Sequence, residues 1–259
     1  MVPRCPHAVD SEWLSGGLGL SYASVHDPRL RPPRLLAQTV RRGRLLDRLD
    51  RLAPLAVVDG PPGCGATTLL ADWAEHQELR GSLVLWVDPR HMAAHEGLTG
   101  VVAAWLARAV GVVDHGVRDA SAAQVAQLAA ATGRRCILVV DDADTCLEEV
   151  AVLVDALAMT RHLHLVVVTR VAEALVERAE RVRLEVLLLT GDQLAAGAEE
   201  LAAMARCWGH SPTGPVLDRV REAVGGWLLP ARLALDATAE GSDALVLDQA
   251  ADVVHRCLT

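Results

Sequence analysis

The sequence has no lysine, no asparagine and no phenylalanine, and Ile137 is its single isoleucine. All 25 basic residues are therefore arginines. Such a bias is typical of a GC-rich genome that favours arginine over lysine. It matters for any site that normally contains a lysine, because drift in composition would leave an arginine there rather than a small residue.

Other absences limit the class of protein. No uncharged apolar run approaches the roughly 18 residues that would span a membrane, and no basic segment followed by an apolar one marks a secretory signal. The 6 cysteines are scattered without a Cys-x-x-Cys pair, which favours reduced thiols in a chain of this length. We therefore expect a cytoplasmic protein that makes no membrane contact.

The net charge of −8 argues against extensive nucleic-acid binding. The charge is uneven, because residues 1–52 hold nine arginines against five acidic residues and the rest of the chain is acidic. A basic N-terminal arm can meet an acidic partner or a nucleic acid, although a solvated arginine-rich helix face explains the same pattern more simply. The 51% hydrophobic and 22% charged residues indicate an ordinary globular protein.

A glycine-rich loop at residues 60–68 lies between an apolar strand pattern at 55–58 and a helical pattern at 69–79. This order is typical of a phosphate-binding loop, in which backbone N–H groups and the helix dipole face an anion. We expect the whole loop to contact a nucleotide phosphate. Its residues are Gly60, Pro61, Pro62, Gly63, Cys64, Gly65, Ala66, Thr67 and Thr68.

One position of this loop departs from the common pattern Gly-x-x-x-x-Gly-Lys-Ser/Thr, in which the lysine reaches the outer phosphates and the hydroxyl binds Mg²⁺. Gly60, Gly65 and Thr67 fit the pattern, but Ala66 stands at the lysine position. A charge-assisted hydrogen bond contributes about 1.5–3 kcal/mol, so its loss weakens binding roughly ten- to hundredfold. The loss acts most strongly on the triphosphate and on hydrolysis.

The backbone of the loop and the Thr67 hydroxyl remain, so weak binding of ADP or ATP is still expected. An arginine is a candidate for the missing cation, and Arg42, Arg44 and Arg170 are the three that we consider. We expect little or no hydrolysis.

Five apolar segments alternate with helical patterns, at 55–58, 82–88, 136–142, 163–169 and about 182–188. This alternation predicts an α/β fold with a doubly wound five-stranded parallel sheet covered on both faces, followed by a small all-helical domain. We divide the chain into an irregular N-terminal arm at 1–33, a P-loop NTPase domain at 34–190 and a helical lid domain at 191–259.

Helical patterns outside the sheet region are expected at 41–52, 192–208, 216–224, 228–239 and 243–258. No helix-turn-helix and no basic region is visible in the sequence, so no DNA-binding domain is expected in this chain.

The apolar segment at 136–142 ends in Asp141 and Asp142. In phosphate-loop ATPases such a carboxylate at the end of a strand holds Mg²⁺ beside the loop hydroxyl. The alternative is that the aspartates cap the next helix, and Asp144 is a second candidate for that cap. The segment at 163–169 is followed by Arg170, and this polar strand end is a candidate sensor of the γ-phosphate or an ordinary solvent-facing arginine.

The order of these motifs resembles the N-terminal ATPase module of STAND-class signalling ATPases, with the closest likeness to large ATP-binding LuxR-type (maltose-activator-like) transcription regulators. The resemblance covers roughly residues 30–240. It rests on short segments at 34–35, 39–46, 60–68, 69–74, 86–88, 139–142, 167–170, 183–186, 225–227 and 231–235.

The resemblance implies a module that binds ATP or ADP, self-associates with ATP and is reset by hydrolysis. It implies that Thr67 and Asp141 hold Mg²⁺, that Asp142 lies near the attacking water and that Arg170 lies near the γ-phosphate. Residues 40–44 would lie near the adenine. A sensor domain and a DNA-binding domain normally follow in that family, and this sequence shows neither.

Three further features have a functional and a simpler interpretation. His91 and His95 are spaced as a metal pair on a helix, but a surface pair without a third ligand fits them better. His162 and His164 are better explained as edge residues than as ligands. Cys64 is either an oxidation-sensitive thiol at a helix N-terminus or a small filler in a tight turn.

Three hypotheses for the function follow. The leading one is a nucleotide-dependent STAND-type regulatory switch, linked to transcription regulation, with little ATP turnover. The second is a pseudo-ATPase that no longer binds nucleotide and serves as a protein-interaction module, pairing with itself or with an intact homologue. The third is an active ATPase in which an arginine replaces the loop lysine.

Overall fold

The computed structural model of the chain describes residues 30–36, 39–93, 95–112 and 119–239. Most of the predicted N-terminal arm and the predicted helix at 243–258 lie outside these residues. The domain boundaries at 33 and 190 stay predictions.

The sheet has five strands, all parallel, in the order β2-β3-β4-β1-β5. The doubly wound parallel sheet that the sequence predicts is thereby confirmed. The strands are β1 Leu55–Asp59, β2 Leu83–Val87, β3 Cys136–Val140, β4 Leu163–Thr169 and β5 Val186–Thr190.

The strands are apolar on both faces because helices cover both sides of the sheet. Along β1, Leu55 and Val57 belong to one buried cluster while Ala56 and Val58 belong to the other, as the two-residue period of a strand requires. All five residues of β3 are buried. Polar groups are therefore left to the strand ends, where the site lies.

Ten α-helices lie within the described residues. They are α1 Gly43–Leu49, α2 Ala66–Leu79, α3 Leu98–Ala109, α4 Ala122–Ala131, α5 Leu147–Leu157, α6 Ala172–Arg181, α7 Gly191–Leu194, α8 Ala198–Cys207, α9 Gly214–Val224 and α10 Leu228–Ala239. None of these described helices combines the length and the apolar character needed to cross a membrane.

The last strand begins later than the sequence predicts. The expected strand at about 182–188 is β5 at Val186–Thr190, because the chain first ends α6 with a tight reversal. Arg183 adopts a left-handed conformation with φ 58°, and the Leu184 N–H returns to the Ala179 carbonyl at 2.9 Å. Such a reversal is a common end of a helix, and its apolar residues resemble the start of a strand in sequence.

The predicted helix at 192–208 is two helices, α7 and α8, separated at Ala195. The backbone carbonyls at this break accept hydrogen bonds from two arginines that lie before β1 in the sequence. Arg42 donates to the Leu194 carbonyl at 2.6 Å, and Arg44 donates to the Ala195 carbonyl at 3.3 Å. These donors, which are distant in sequence, satisfy the carbonyls that lack a partner within the helix. No local sequence pattern therefore reveals the break.

The helices after β5 have a hydrophobic cluster of their own, which includes Leu201, Val224 and Leu235. The Ala196 N–H donates to the Gly226 carbonyl at 2.8 Å and ties the start of this region to the turn before α10. The region is therefore packed around its own core and also held near the end of β5.

Candidate nucleotide site

The glycine-rich loop connects β1 to α2 at the carboxyl edge of the sheet. Gly63 and Gly65 have φ values of +85° and +86°, a conformation that residues with a Cβ rarely adopt. Gly65 is the residue before α2, so the loop runs directly into a helix N-terminus. This geometry presents backbone N–H groups to an anion.

Thr67 and Asp141 meet, as the sequence predicts for a Mg²⁺ pair. The Thr67 hydroxyl donates to Asp141 Oδ2 at 2.9 Å, with Oδ1 at 3.3 Å. Asp141 is only 5% exposed, and burial raises the pKa of its carboxyl, an effect that the Thr67 hydrogen bond only partly offsets. A buried carboxylate beside a loop hydroxyl provides the oxygen ligands that Mg²⁺ takes in such sites.

Asp142 lies next to this pair in a left-handed conformation, with φ 62° and ψ 59°. Its Oδ2 is 3.2 Å from Arg90 NH1. Within the described residues it makes no side-chain hydrogen bond that caps the following turn, so the capping alternative for Asp142 is wrong.

Arg90 is the functional candidate that sequence reasoning missed. Its guanidinium also binds Asp88 through Nε and NH2, at 3.0 and 2.8 Å. Burial alone would raise the pKa of Asp88, but the hydrogen bonds and the charge of Arg90 outweigh it, and the pKa is lowered. The one available signal was position, because Asp88-Pro89-Arg90 directly follows β2.

Asp144 organises the end of β4 instead of capping α5. Its Oδ1 accepts from the Thr169 hydroxyl at 2.6 Å and from the Arg170 N–H at 2.9 Å, and its Oδ2 pairs with Arg170 Nε at 2.7 Å. Burial favours the neutral acid, yet these donors together lower the pKa of Asp144. Arg170 lines the cavity with its Nε bonded to Asp144, and its predicted place near the γ-phosphate stays a prediction.

Two other arginines considered as substitutes for the lysine are also bonded elsewhere. Arg42 is 3% exposed and binds the Leu194 carbonyl and, at 3.1 Å, Glu200 of α8, with the Cys64 carbonyl at 3.5 Å. Arg44 reaches the carbonyls at positions 193 and 195. Both link the loop side of the protein to the helices after β5.

Ala66 and Cys64 are buried small residues of the loop. Burial raises the pKa of the Cys64 thiol, which disfavours the reactive thiolate. The Cys64 Sγ lies 2.9 Å from the position that a Cβ on Gly60 would occupy. The simpler interpretation of Cys64, a filler in a tight turn, fits this environment.

The helices after β5 contact the loop directly. The Leu229 N–H donates to the Gly63 carbonyl at 3.1 Å. A Cβ on Gly63 would lie 2.7 Å from the Leu229 Cβ, and one on Gly65 would lie 2.7 Å from Leu228 Cδ1. The first turn of α10 therefore packs on the glycines of the loop, a contact that the sequence did not predict.

A cavity of about 810 Å³ lies over the loop, within the usual range for small-molecule sites. We call two parts of its lining the acidic wall and the helical wall. The acidic wall consists of Arg90, Asp141, Asp142, Asp144, Thr169 and Arg170. The helical wall consists of Met204, Trp208, Leu228, Leu229 and Arg232.

The rest of the lining includes Leu35, Val40 and the loop itself. Val40 and Arg42 of the segment that the resemblance places near the adenine line the cavity, and the Arg232 guanidinium lies 5.9 Å from the centre of the Trp208 ring. An apolar region with an aromatic ring and a glycine loop with a helix N-terminus fit the base and the phosphates of a nucleotide. The loop hydroxyl with its carboxylate fits Mg²⁺.

The two histidine pairs do not form metal sites in the part of the chain that the structure describes, where no group of three or more His, Cys, Asp or Glu side chains could hold a metal ion. His91 Nδ1 lies 3.2 Å from Asp88 Oδ2. His164 Nδ1 lies 3.4 Å from the Ala53 carbonyl.

Comparisons with known proteins identify the fold. A Walker-type ATPase of Pyrococcus abyssi superposes with a TM-score of 0.55 at 13% identity, over 88% of this chain and 75% of that chain. A Signal Transduction ATPase with Numerous Domains (STAND) protein with a tetratricopeptide repeat sensor, from Pyrococcus horikoshii, superposes with a TM-score of 0.58 at 17% identity. That match covers 90% of this chain and 34% of the other, so the chain spans about a third of that neighbour's length.

No protein-family model and no curated protein matches the sequence. The structural neighbours show a P-loop ATPase fold, which confirms the predicted fold class.

Proposed function

We propose that this chain is a nucleotide-responsive regulatory switch of the STAND type, which binds ADP or ATP with Mg²⁺ and hydrolyses ATP slowly or not at all. The Thr67–Asp141 contact at the base of the cavity carries the proposal. The loop hydroxyl and the buried carboxylate at the strand end together provide two oxygen ligands of the kind that Mg²⁺ takes.

Binding without the loop lysine rests on the backbone. Gly63 and Gly65 keep the loop conformation, and α2 begins immediately after it. The N–H groups and helix dipole thus still attract phosphate. The missing cation costs about 1.5–3 kcal/mol, an amount that leaves micromolar to millimolar binding within reach.

Slow turnover rests on charge. Arg42, Arg44 and Arg170 are already bonded to other groups, and the acidic wall with Asp88 holds four carboxylates against two guanidinium groups. Charge that develops on the transferred phosphoryl group is stabilised mainly by positioned cations. With few of them free, the site favours binding over catalysis.

The regulatory role rests on the contact between the loop and α10. Because Leu229 donates to the Gly63 carbonyl, a ligand that reorders the loop also acts on the helices after β5. The link to transcription regulation and to self-association rests on the order of sequence motifs alone.

A second candidate function is a protein-interaction module that no longer binds nucleotide. The observation in its favour is the same contact, since Leu228 and Leu229 already pack against the glycines. In that case the loop serves as a surface for the helices and the cavity has lost its ligand.

Calorimetric titration with ADP and with ATP, each with and without Mg²⁺, separates the two candidates. We expect micromolar to millimolar binding that Mg²⁺ strengthens and that Thr67→Ala weakens by roughly tenfold. Thr145→Ala is the matched control, because Thr145 is exposed and lies outside the cavity lining. The absence of binding up to millimolar nucleotide, together with none in Ala66→Lys, would overturn the switch and support the interaction module.

A further inference from the structure

Arg90 holds an unusual position among the arginines of the cavity. It comes from the turn after β2, yet its NH1 reaches Asp142, the carboxylate after β3 that the resemblance places near the attacking water. Its side chain is 58% exposed, so the guanidinium is accessible to a ligand in the cavity. The Nε and NH2 edge of the same guanidinium donates to Asp88.

We propose that Arg90 binds the outermost phosphate of a nucleoside triphosphate in place of the absent loop lysine, and that it leaves Asp142 in doing so. The proposal rests on the proposed function, because it assigns a residue to the phosphate end of the same site. It makes Arg90 the residue that distinguishes triphosphate from diphosphate.

The anchoring of the guanidinium supports this assignment. Nε and NH2 form a two-point contact with Asp88, whose Oδ1 also accepts the Arg90 N–H at 3.0 Å. This arrangement fixes the plane of the guanidinium at the cavity. NH1 is the part left to exchange partners, and in the present structure its partner is a carboxylate that itself lines the cavity.

The local charges favour the transfer of Arg90 NH1 from Asp142 to a phosphate. Asp88, Asp141 and Asp142 lie close together, and the Arg90 guanidinium interacts electrostatically with all three. A terminal phosphate carries more charge than a single carboxylate and offers three acceptor oxygens. A phosphate that enters beside Asp142 therefore competes successfully for NH1 and needs that cation to offset the carboxylates.

The other arginines of the lining are less suited to the role. The Arg170 guanidinium pairs with Asp144 through Nε, and the same carboxylate accepts the Arg170 backbone N–H and the Thr169 hydroxyl, so this carboxylate already organises the end of β4. Arg42 is buried in contacts with Glu200 and the Leu194 carbonyl. Arg232 lies on α10 beside Trp208 and, at 3.9 Å, Asp236.

One consequence is a coupling between the ligand and Asp142. A diphosphate lacks the group that would draw NH1 away, so Asp142 stays paired with Arg90. A triphosphate draws NH1 away and leaves the Asp142 carboxylate without that partner. Arg90 is thus a positioning residue for Asp142 as well as a phosphate ligand.

The test compares the dissociation constants of ADP and of a non-hydrolysable ATP analogue, both with Mg²⁺, for the unchanged chain and for Arg90→Ala. We expect the analogue to bind about 10- to 100-fold more weakly to Arg90→Ala, as the loss of one charge-assisted hydrogen bond implies. ADP binding should change less than about threefold. Arg90→Lys should retain part of the preference for the triphosphate.

A matched control is Arg178→Ala, which removes another arginine paired with an aspartate, Asp155, outside the cavity lining. A thermodynamic cycle with Ala66→Lys gives a second test. If Arg90 replaces the missing lysine, Arg90→Ala should reduce the affinity for the ATP analogue much less in the chain that also carries Ala66→Lys.

The assignment would be overturned if Arg90→Ala weakened the binding of ADP and of the ATP analogue equally, or left the preference for the analogue over ADP unchanged. It would also be overturned if Arg170→Ala, and not Arg90→Ala, lost affinity for the analogue alone. Strict additivity with Ala66→Lys would overturn the replacement of the lysine. Failure of the unchanged chain and of Ala66→Lys to bind either nucleotide is a different result, because it removes the proposed function first and the role of Arg90 with it.

Discussion

The acidic wall and the helical wall are held in place by different kinds of interaction. Groups of the acidic wall hold one another through hydrogen bonds and ion pairs, some of them open to solvent, such as Arg90 with Asp142. The helical wall is held by close packing of Leu228 and Leu229 on the loop. The buried Arg42, which also lines the cavity, joins the loop side of the protein to the helices after β5 through the Leu194 carbonyl and Glu200.

This difference assigns different roles to the two walls. Exposed ion pairs contribute little to the free energy of folding, so the acidic wall is free to exchange partners when a ligand arrives. Removal of one partner from a buried contact, or of a closely packed side chain, costs much more. We therefore expect changes to Arg42 and to the packing of the helical wall to lower stability, and changes in the acidic wall to alter ligand selectivity.

The largest effect is expected for Arg42→Ala. The substitution leaves the Leu194 carbonyl without its donor and Glu200 without its partner, so we expect a loss of about 3 kcal/mol in the free energy of unfolding. Arg44→Ala is the neighbouring control, since Arg44 is exposed, and should cost less than about 1 kcal/mol. Urea denaturation measures both, and equal losses would remove the distinction between buried and exposed contacts.

A smaller effect is expected for Gly63→Ala, with Gly81→Ala as its control. The two glycines have nearly equal φ values of +85° and +84°, but only Gly63 has a neighbour within 4 Å of an added Cβ, namely Leu229. The left-handed conformation costs each variant about 1 kcal/mol, and the clash adds about 1–2 kcal/mol to Gly63→Ala alone. Equal midpoints in a denaturant titration would show that α10 does not press on the loop.

The smallest effect, and one of opposite sign, is expected for Asp141→Asn in the acidic wall. Because burial raises the pKa of Asp141 above its ordinary 3.8, the charged form costs stability at neutral pH. The substitution should therefore raise the free energy of unfolding at pH 7 slightly while it abolishes the effect of Mg²⁺ on nucleotide binding.

The raised pKa of Asp141 also determines how the free energy of unfolding changes with pH. Between the ordinary and the raised pKa the folded chain binds the proton more tightly than the unfolded chain, so the stability of the unchanged protein rises as pH falls through that window. The gain in the free energy of unfolding that Asp141→Asn provides should therefore become smaller as pH falls over the same range. Asp47→Asn, at an exposed position of α1, should show no such advantage, and a constant gain at every pH would contradict the explanation.

The parts of the molecule that the sequence predicts well are those with local signals. The strands are short apolar runs, and the loop has glycines at fixed offsets before a helix. Asp141 and Asp142 directly follow an apolar run, and the motif pattern of phosphate-loop ATPases predicts such a carboxylate beside the loop hydroxyl. The structure places Thr67 and Asp141 in contact.

The parts that the sequence could not predict depend on distant partners. Arg90 is one of 25 arginines, and only the position of β2 beside β3 brings it to Asp142. The sequence leaves Asp144 only as a candidate for a helix cap, because its partners, Thr169 and Arg170, are 25 and 26 positions away. Leu228 and Leu229 resemble ordinary core residues until the helices fold over the loop.

The hydrogen bond from Leu229 to Gly63 also has a mechanical consequence. It joins the loop to one end of α10, a helix of 12 residues that is about 18 Å long. Such a rod acts as a lever, because a tilt of about 10° at the loop displaces its opposite end by about 3 Å. A small tilt of α10 at its loop end would therefore move Ala239, at its other end, by about the diameter of a water molecule.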